Sequence, residues 1–515
     1  MANKNLFNSI ELTKPKKNVF DLTHDVKMSS KMGQLTPTCV IECVPGDMFN
    51  IGCDSLIRFA PLQAPVMHRM DVTMHYFFVP NRILWENWEK FIVDANSPYV
   101  MPYINSQLFQ PQYVANQGTA PKTADYLGIP LPANGTAQTN INALPFAAYQ
   151  AIYNEYYRDE NLVPEVNYKL QDGDVGVTGW ARVREICNLR NRAWEHDYFT
   201  ASLPFAQKGA AVDIPIGQLE GDAPVRVSNK VVASQISSTT GNVFAAADNG
   251  SSPVDPGYMF ADLDGLDVEA TTINDLRRAF RLQEWLEKNA RGGTRYIENI
   301  LAHFGVRSSD KRLQRPEYIT GIKTPVVVSE VLNTSGTEGQ LPQGNMAGHG
   351  VSVSTGKYGT YFCEEHGYIM GIMSVMPKTA YQQGIPKTFL KIDPLDFFWP
   401  SFAHIGEQPV VNAELFAYTN GDPLTFGYVP RYAEYKFMPN RVAGDFRTTL
   451  DYWHLGRIFN NLPFLNQTFI ECAPEDVDRI FAVLDEPEGT DNLYCQVLHK
   501  IRAVRPMPKF GTPMF

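Results

Sequence analysis

Two clusters of cations stand at opposite ends of this 515-residue chain. Lys14, Lys16 and Lys17 form the first, beside Pro15, which discourages helix and keeps the segment extended. Lys500, Arg502, Arg505 and Lys509 form the second, where Pro506 and Pro508 hold the end extended. Ammonium and guanidinium groups at this density suit backbone phosphates, gripped without sequence preference. Residues 1–31 carry six lysines against Glu11, Asp21 and Asp25, and residues 500–515 carry four cations and no acid. The net charge of the whole chain is −10, so residues 32–499 carry −17. That balance argues against a free-standing nucleic-acid binder and leaves basic ends on an acidic body.

Other chemistry is sought and is thin. The chain has no G-x-x-x-x-G-K-[ST] loop, no H-E-x-x-H, no G-x-S-x-G and no dinucleotide fingerprint, so no cofactor is implied. Cys39 and Cys43 are close to Cys53, but no histidine or second close pair completes a metal site, and small apolar residues on strand faces are the simpler reading. Glu364-Glu365-His366 invites an acid/base role, yet neighbours on a strand point to opposite faces. His68 and His75 likewise share no face, and Asp396 and Glu407 have no shared geometry. Two stretches mix arginine with aromatics: Trp180, Arg182, Arg184, Arg190, Arg192 and Trp194, then Arg277, Arg278, Arg281, Arg291 and Arg295. Such mixtures can hold phosphates and stack bases. Glu185, Glu195, Glu284 and Glu287 favour ion-paired surfaces instead.

The elements that must position these residues are mostly short strands. Phe49, Ile51, Cys53, Ile57 and Phe59 alternate with Asn50, Asp54 and Arg58. Val72, Met74, Tyr76 and Phe78 alternate until Pro80, and Leu493, Cys495, Val497, Ile501 and Ala503 alternate with Gln496, Lys500 and Arg502. A period of two marks half-buried strands. Tyr368–Met376 is apolar on both faces, as a central strand covered on both sides should be. Two helices are expected. One opens at the capping box Thr272–Asp275, runs through Leu276, Phe280, Leu282 and Leu286, and closes at Gly292-Gly293; the other follows Pro145.

Long connections separate these elements. Residues 96–142 are rich in proline, asparagine and glutamine, 217–270 in glycine, serine and aspartate, and 333–357 are glycine-rich and nearly uncharged. Either such stretches are disordered or neighbouring copies cover them, and aromatic and proline content favours the second for 96–142. No run of apolar residues is long enough for a spanning helix, so no membrane insertion is expected. The seven cysteines are odd in number and sparse, as free thiols in a reducing cytosol would be.

Several separated blocks resemble one family. They are Asp71–Trp88 (DVTMHYFFVPNRILWENW), Asp197–Lys208 (DYFTASLPFAQK), Thr272–Gly305, Arg312–Tyr318 (RLQRPEY), Glu365–Val375 (EHGYIMGIMSV), His404–Gln408 (HIGEQ), Arg431–Pro439 (RYAEYKFMP) and Val504–Thr512 (VRPMPKFGT). In order and together they resemble the major capsid proteins of the microviruses, in their gokushovirus-like branch. The resemblance implies an all-β fold, a viral jelly-roll sandwich of two packed antiparallel sheets with long inserted loops and a few helices. It implies a structural protein of a bacteriophage virion and no enzyme, a homo-oligomer closed as a T=1 icosahedral shell around circular single-stranded DNA and assembled in the bacterial host cytoplasm. A small basic DNA-packaging protein and a host-surface receptor are the further partners it implies.

The chain then reads as one capsid domain over 1–515, with a basic N-terminal arm at 1–31, a candidate surface-protrusion insertion at 217–270 and a basic C-terminal tail at 500–515. Lys14, Lys16, Lys17, Lys500, Arg502, Arg505 and Lys509 are the expected DNA contacts; the competing expectation is that both ends serve subunit contacts. A cupin-like enzyme would need a His-x-His and glutamate cluster, which is absent. A secreted carbohydrate-binding sandwich would normally carry a signal or trimerisation repeats.

Overall fold

The computed structural model describes residues 16–106, 122–130, 139–212, 272–334, 344–356, 358–417, 424–482 and 490–510, with six short strand segments between 219 and 268. The chain divides into two compact units, Met1–Ala206 with Gly292–Phe515, and Gln207–Arg291.

The larger unit is built on two antiparallel sheets. Its main strands are β1 (Asn18–Asp21), β2 (His24–Ser30), β3 (Thr36–Cys43), β4 (Met48–Phe59), β5 (Met70–Pro80), β6 (Glu317–Pro325), β7 (Val327–Leu332), β8 (Met346–Ser354), β9 (Gly359–Phe362), β10 (Gly367–Pro377) and β11 (Leu493–Arg505). One sheet has the order β1-β11-β4-β8-β7, with β2 also on β11 and β9 also on β4. The other has the order β6-β5-β10-β3. The alternating residues behave as their spacing requires. Phe49, Ile51, Ile57 and Phe59 of β4 and Val497, Ile501 and Ala503 of β11 face Val72, Met74 and Phe78 of β5 in one core. Each large apolar side chain buried there stabilises the fold by roughly 1.5–3 kcal/mol.

β10 is buried at every position. Ile369, Met373 and Val375 enter the core between the sheets, while Tyr368, Met370 and Ile372 enter a second core. Helix α1 (Leu144–Ile152) supplies that second core and is itself buried almost all round. The doubly covered strand expected at 368–376 is therefore present, paired to β5 on one side and β3 on the other.

Two of the long connections differ from expectation. Within 333–357, Met346–Ser354 is strand β8, paired with β4 and β7, while 335–343 and 357 lie outside the described residues. The glycines of β8 read as loop residues but serve packing: a Cβ on Gly348 would lie 2.3 Å from the Ala64 carbonyl oxygen. Within 96–142, Tyr103–Asn105 pairs with Asn140–Asn142, and Ile104, Thr123 and Ala124 are fully buried in the chain's own core. Those parts need no neighbour to cover them; residues 107–121 and 131–138 lie outside the described residues.

The smaller unit holds helix α2 (Ile273–Arg291). Its capping box is formed as the sequence predicts: the Asp275 amide donates to Thr272 Oγ1 at 3.2 Å and the Thr272 amide to Asp275 Oδ2 at 3.3 Å. Leu219–Glu220 pairs with Asp267–Val268, Val225–Val227 with Met259–Ala261, and Gln235–Ile236 with Val243–Phe244. The chain thus runs out and returns on itself in three nested rungs; the rest of 217–270 lies outside the described residues. Helix α3 (Tyr296–Phe304) begins the return to the larger unit's sequence. No helix among the described residues is long and apolar enough to cross a membrane.

Candidate nucleic-acid interface at the joined termini

The period of two along β11 sends His499, Ile501 and Ala503 inward and leaves Lys500 and Arg502 on the opposite face. Arg502 lies opposite Asn50 of β4 and, across the other edge of β11, opposite Asp21 of β1. Lys500 lies opposite Gly52, and its Nζ reaches Asp54 Oδ2 at 2.5 Å. That hydrogen bond holds the Asp54 carboxyl below its ordinary range and raises Lys500. Above Gly52 lies the ring of Tyr358, so close that a Cβ there would meet it at 2.8 Å. Tyr358, Asn50, Thr23, Lys500 and Arg502 together line a hollow of about 360 Å³.

The two basic ends, remote in sequence, meet here. β1 pairs with β11 from Asn18↔Arg505 to Asp21↔Arg502. The Asn18 side chain donates to the Met507 carbonyl at 2.7 Å. Lys17 Nζ donates to the Gly46 carbonyl at 2.6 Å and sits over the Phe362 ring. Arg505 turns away to the β3–β4 connection, with Nη2 2.9 Å from Asp47 Oδ2 and donating to the Glu42 carbonyl at 2.9 Å. Lys16 is exposed, Lys509 lies over the Phe510 ring, and Lys14 is outside the described residues.

The cations are therefore not equivalent. Lys17 and Arg505 are engaged in the fold and Lys500 is neutralised by Asp54. Among the described residues, Arg502 has no ion-pair partner. A guanidinium with free donors beside an exposed tyrosine ring can hold a phosphate while a base stacks. Tyr358 carries no chemical motif of its own in the sequence. Its signal was Gly52, a glycine inside a strand, which marks a close approach by another group.

Several other candidates are engaged within the fold. Glu365 takes a two-point ion pair from Arg82, at 2.5 and 3.1 Å, and Glu364 pairs with Lys311. His75 Nδ1 lies 2.8 Å from the Tyr157 hydroxyl and His68 Nε2 2.5 Å from the Lys378 carbonyl. Arg182 pairs with Glu185, Arg190 with Gln150, Arg192 with Ser374 and Arg295 with Glu160. All seven cysteines are free and buried, and burial pushes the thiols of Cys39 and Cys495 up to about 12, so neither is a ready thiolate ligand. No group of three His, Cys, Asp or Glu that could hold a metal ion occurs among the described residues.

Comparison with known proteins finds relatives along nearly the whole chain. The family described as "Capsid protein (F protein)" matches residues 9–515. The chain is 34% identical to capsid protein VP1 of Chlamydia phage 1, over 99% of this chain and 97% of that one. It is 36% identical to capsid protein VP1 of Bdellovibrio phage phiMH2K, over 99% and 98%. It is 32% identical to capsid protein VP1 of Spiroplasma virus 4, over 96% and 94%.

Proposed function

Because this chain belongs to the capsid protein (F protein) family, we propose that many copies of it close a T=1 icosahedral shell around circular single-stranded DNA. As a microvirus major capsid protein it is a structural component of the virion and not an enzyme. The observation that carries the finer reading is the strand order. With β2-β11-β4-β8 in one sheet and β3-β10-β5-β6 in the other, the chain changes sheet at each step among these eight strands except from β5 to β6, a pattern that supports the winding of a jelly roll. In that winding the connections 81–316 and 378–492 are the long insertions available to meet neighbours. Expression of the chain alone, and with a small basic packaging partner, followed by electron microscopy, tests the shell; only monomers or small rings in both would count against it.

The joined termini support a role in holding the genome. Arg502 and Tyr358 are the centre of the proposed contact, with Lys500, Lys14, Lys16 and Lys509 as lesser contributors and Lys17 and Arg505 mainly structural. The small basic partner supplies the rest of the neutralising charge. The nested rungs within 217–270 are proposed as the surface protrusion that meets a host-surface receptor; shells deleted between Val225 and Ala261 should form normally and lose adsorption, and unchanged adsorption would refute that assignment.

A further inference from the structure

We infer that the aromatic surface formed by residues 392–399 with Tyr435 is a face on which a second copy of this chain docks. This goes beyond shell formation by naming the surface, and it rests on the capsid reading. Ile392 is 91% exposed and Leu395 58%, and Phe397, Phe398, Trp399 and Tyr435 are each about half exposed. At roughly 200 Å² per large side chain, that leaves on the order of 700 Å² of apolar surface in water. The largest apolar patch of an ordinary monomer is roughly 300–600 Å², and one side of a stable interface buries about 800 Å². The patch exceeds the first and nearly reaches the second.

The surface is also built to hold its shape. Tyr432 adopts a left-handed backbone, φ 61°, rare for an aromatic residue, and is itself buried. Such a conformation is strained and persists only where the surrounding structure holds it in place. The Tyr432 hydroxyl accepts from the Trp399 amide at 3.2 Å and donates to the Phe397 carbonyl at 3.3 Å, and its ring packs edge-on to Phe398 at 4.9 Å. The Trp399 indole donates to the Pro394 carbonyl at 2.8 Å. Lys391, under the patch, pairs with Glu434 at 2.9 Å and lies over the Tyr435 ring. Rings fixed before binding lose little freedom on docking, which is how a few aromatic residues dominate an interface.

Charge selects the occupant. Lys391 is cancelled by Glu434, and the carboxylates of Asp393 and Asp396 cap the backbone at this turn. Arg431, the remaining cation at this surface, is partly buried and directed at the Leu395 carbonyl, 3.2 Å away, and the Tyr432 ring, so the described residues here offer no row of outward cations to a DNA backbone. An apolar protein face suits the surface, and in a shell built from copies of one chain the neighbour that recurs on every subunit is that chain.

The test compares wild type with Ile392→Glu/Leu395→Glu, both exposed positions, and with Ile392→Leu/Leu395→Met. Shell yield of the glutamate variant should fall by more than about tenfold, as loss of central interface residues does, while its free subunits keep their thermal midpoint. The conservative variant should assemble fully. Hydrogen exchange on wild type, which needs no variant to fold, should show amides 392–399 protected in shells relative to free subunits. Normal shells from the glutamate variant, or equal exchange in both wild-type states, would overturn this inference and leave the capsid reading standing. A wild type that forms no particle under any condition would instead defeat the capsid reading.

Discussion

The Tyr76 hydroxyl and His499 Nδ1 lie 2.7 Å apart across the core, joining β5 of one sheet to β11 of the other. His499 is fully buried, its Nε2 lies 3.2 Å from the Thr38 carbonyl, and its ring stacks on His24 at 5.0 Å. Burial first, and then the nearby His24, push its pKa from 6.5 down to about 4. The unfolded chain therefore takes up this proton near pH 6.5 while the folded one resists until about 4. Stability from this group is complete above the unfolded value and falls as the pH drops through that window, by roughly 3 kcal/mol in all. His68 and His75, also pushed down to about 4 by burial, act in the same direction. Glu160, pushed up to about 7 by burial despite Arg295, acts in the opposite one. Urea unfolding of free subunits from pH 4 to 7 should show a smaller pH slope in His499→Asn than in wild type; an unchanged slope would remove His499 from the account.

Genome retention should depend unequally on the basic ends. Arg502→Ala and Tyr358→Ala should each weaken DNA retention, and Arg502→Ala should lower the log–log salt slope by about 0.7 for the lost phosphate contact. Lys500→Ala should do less, because Asp54 already neutralises it. Release of DNA from purified shells over a salt series measures all three, and equal effects of Lys500→Ala and Arg502→Ala would contradict the assignment.

Arg505 should behave as a structural residue. Its removal leaves Asp47, 0% exposed, without its cation. Arg505→Ala should cost about 2–3 kcal/mol in subunit stability, with the salt dependence of DNA retention unchanged in whatever shells form. Denaturant midpoints and the same salt series separate these outcomes.

Gly348 should tolerate no side chain. Its neighbour is backbone at Ala64, which cannot rotate away. Gly348→Ala should destabilise the subunit by about 1–3 kcal/mol, as overpacking does, whereas alanine at Gly128, with nothing near its Cβ position, meets only the strain of its positive φ. Calorimetry on the two variants would show whether close approach or backbone strain costs more.

Sequence alone determined the local facts. The alternation in β4, β5 and β11, the two-faced apolar run of β10 and the capping box of α2 depend on residues a few positions apart, so each was legible from spacing. The separated blocks carried the family for the same reason: identity of residues in order needs no coordinates. What only tertiary structure decided involves partners far apart in the chain. Composition could not tell that the glycines of 346–354 belong to a strand, because the need for Gly348 arises at Ala64 and that for Gly350 at Phe59. Charge counting could not tell that Lys17 and Arg505 are occupied while Arg502 is not, because the acid and carbonyls that engage them come from β3 and the β3–β4 connection. Nor could it show that β1 closes on β11 and makes one basic site of two ends. Strand pairing is non-local, and a hydrogen-bonded neighbour hundreds of residues away leaves no periodicity behind.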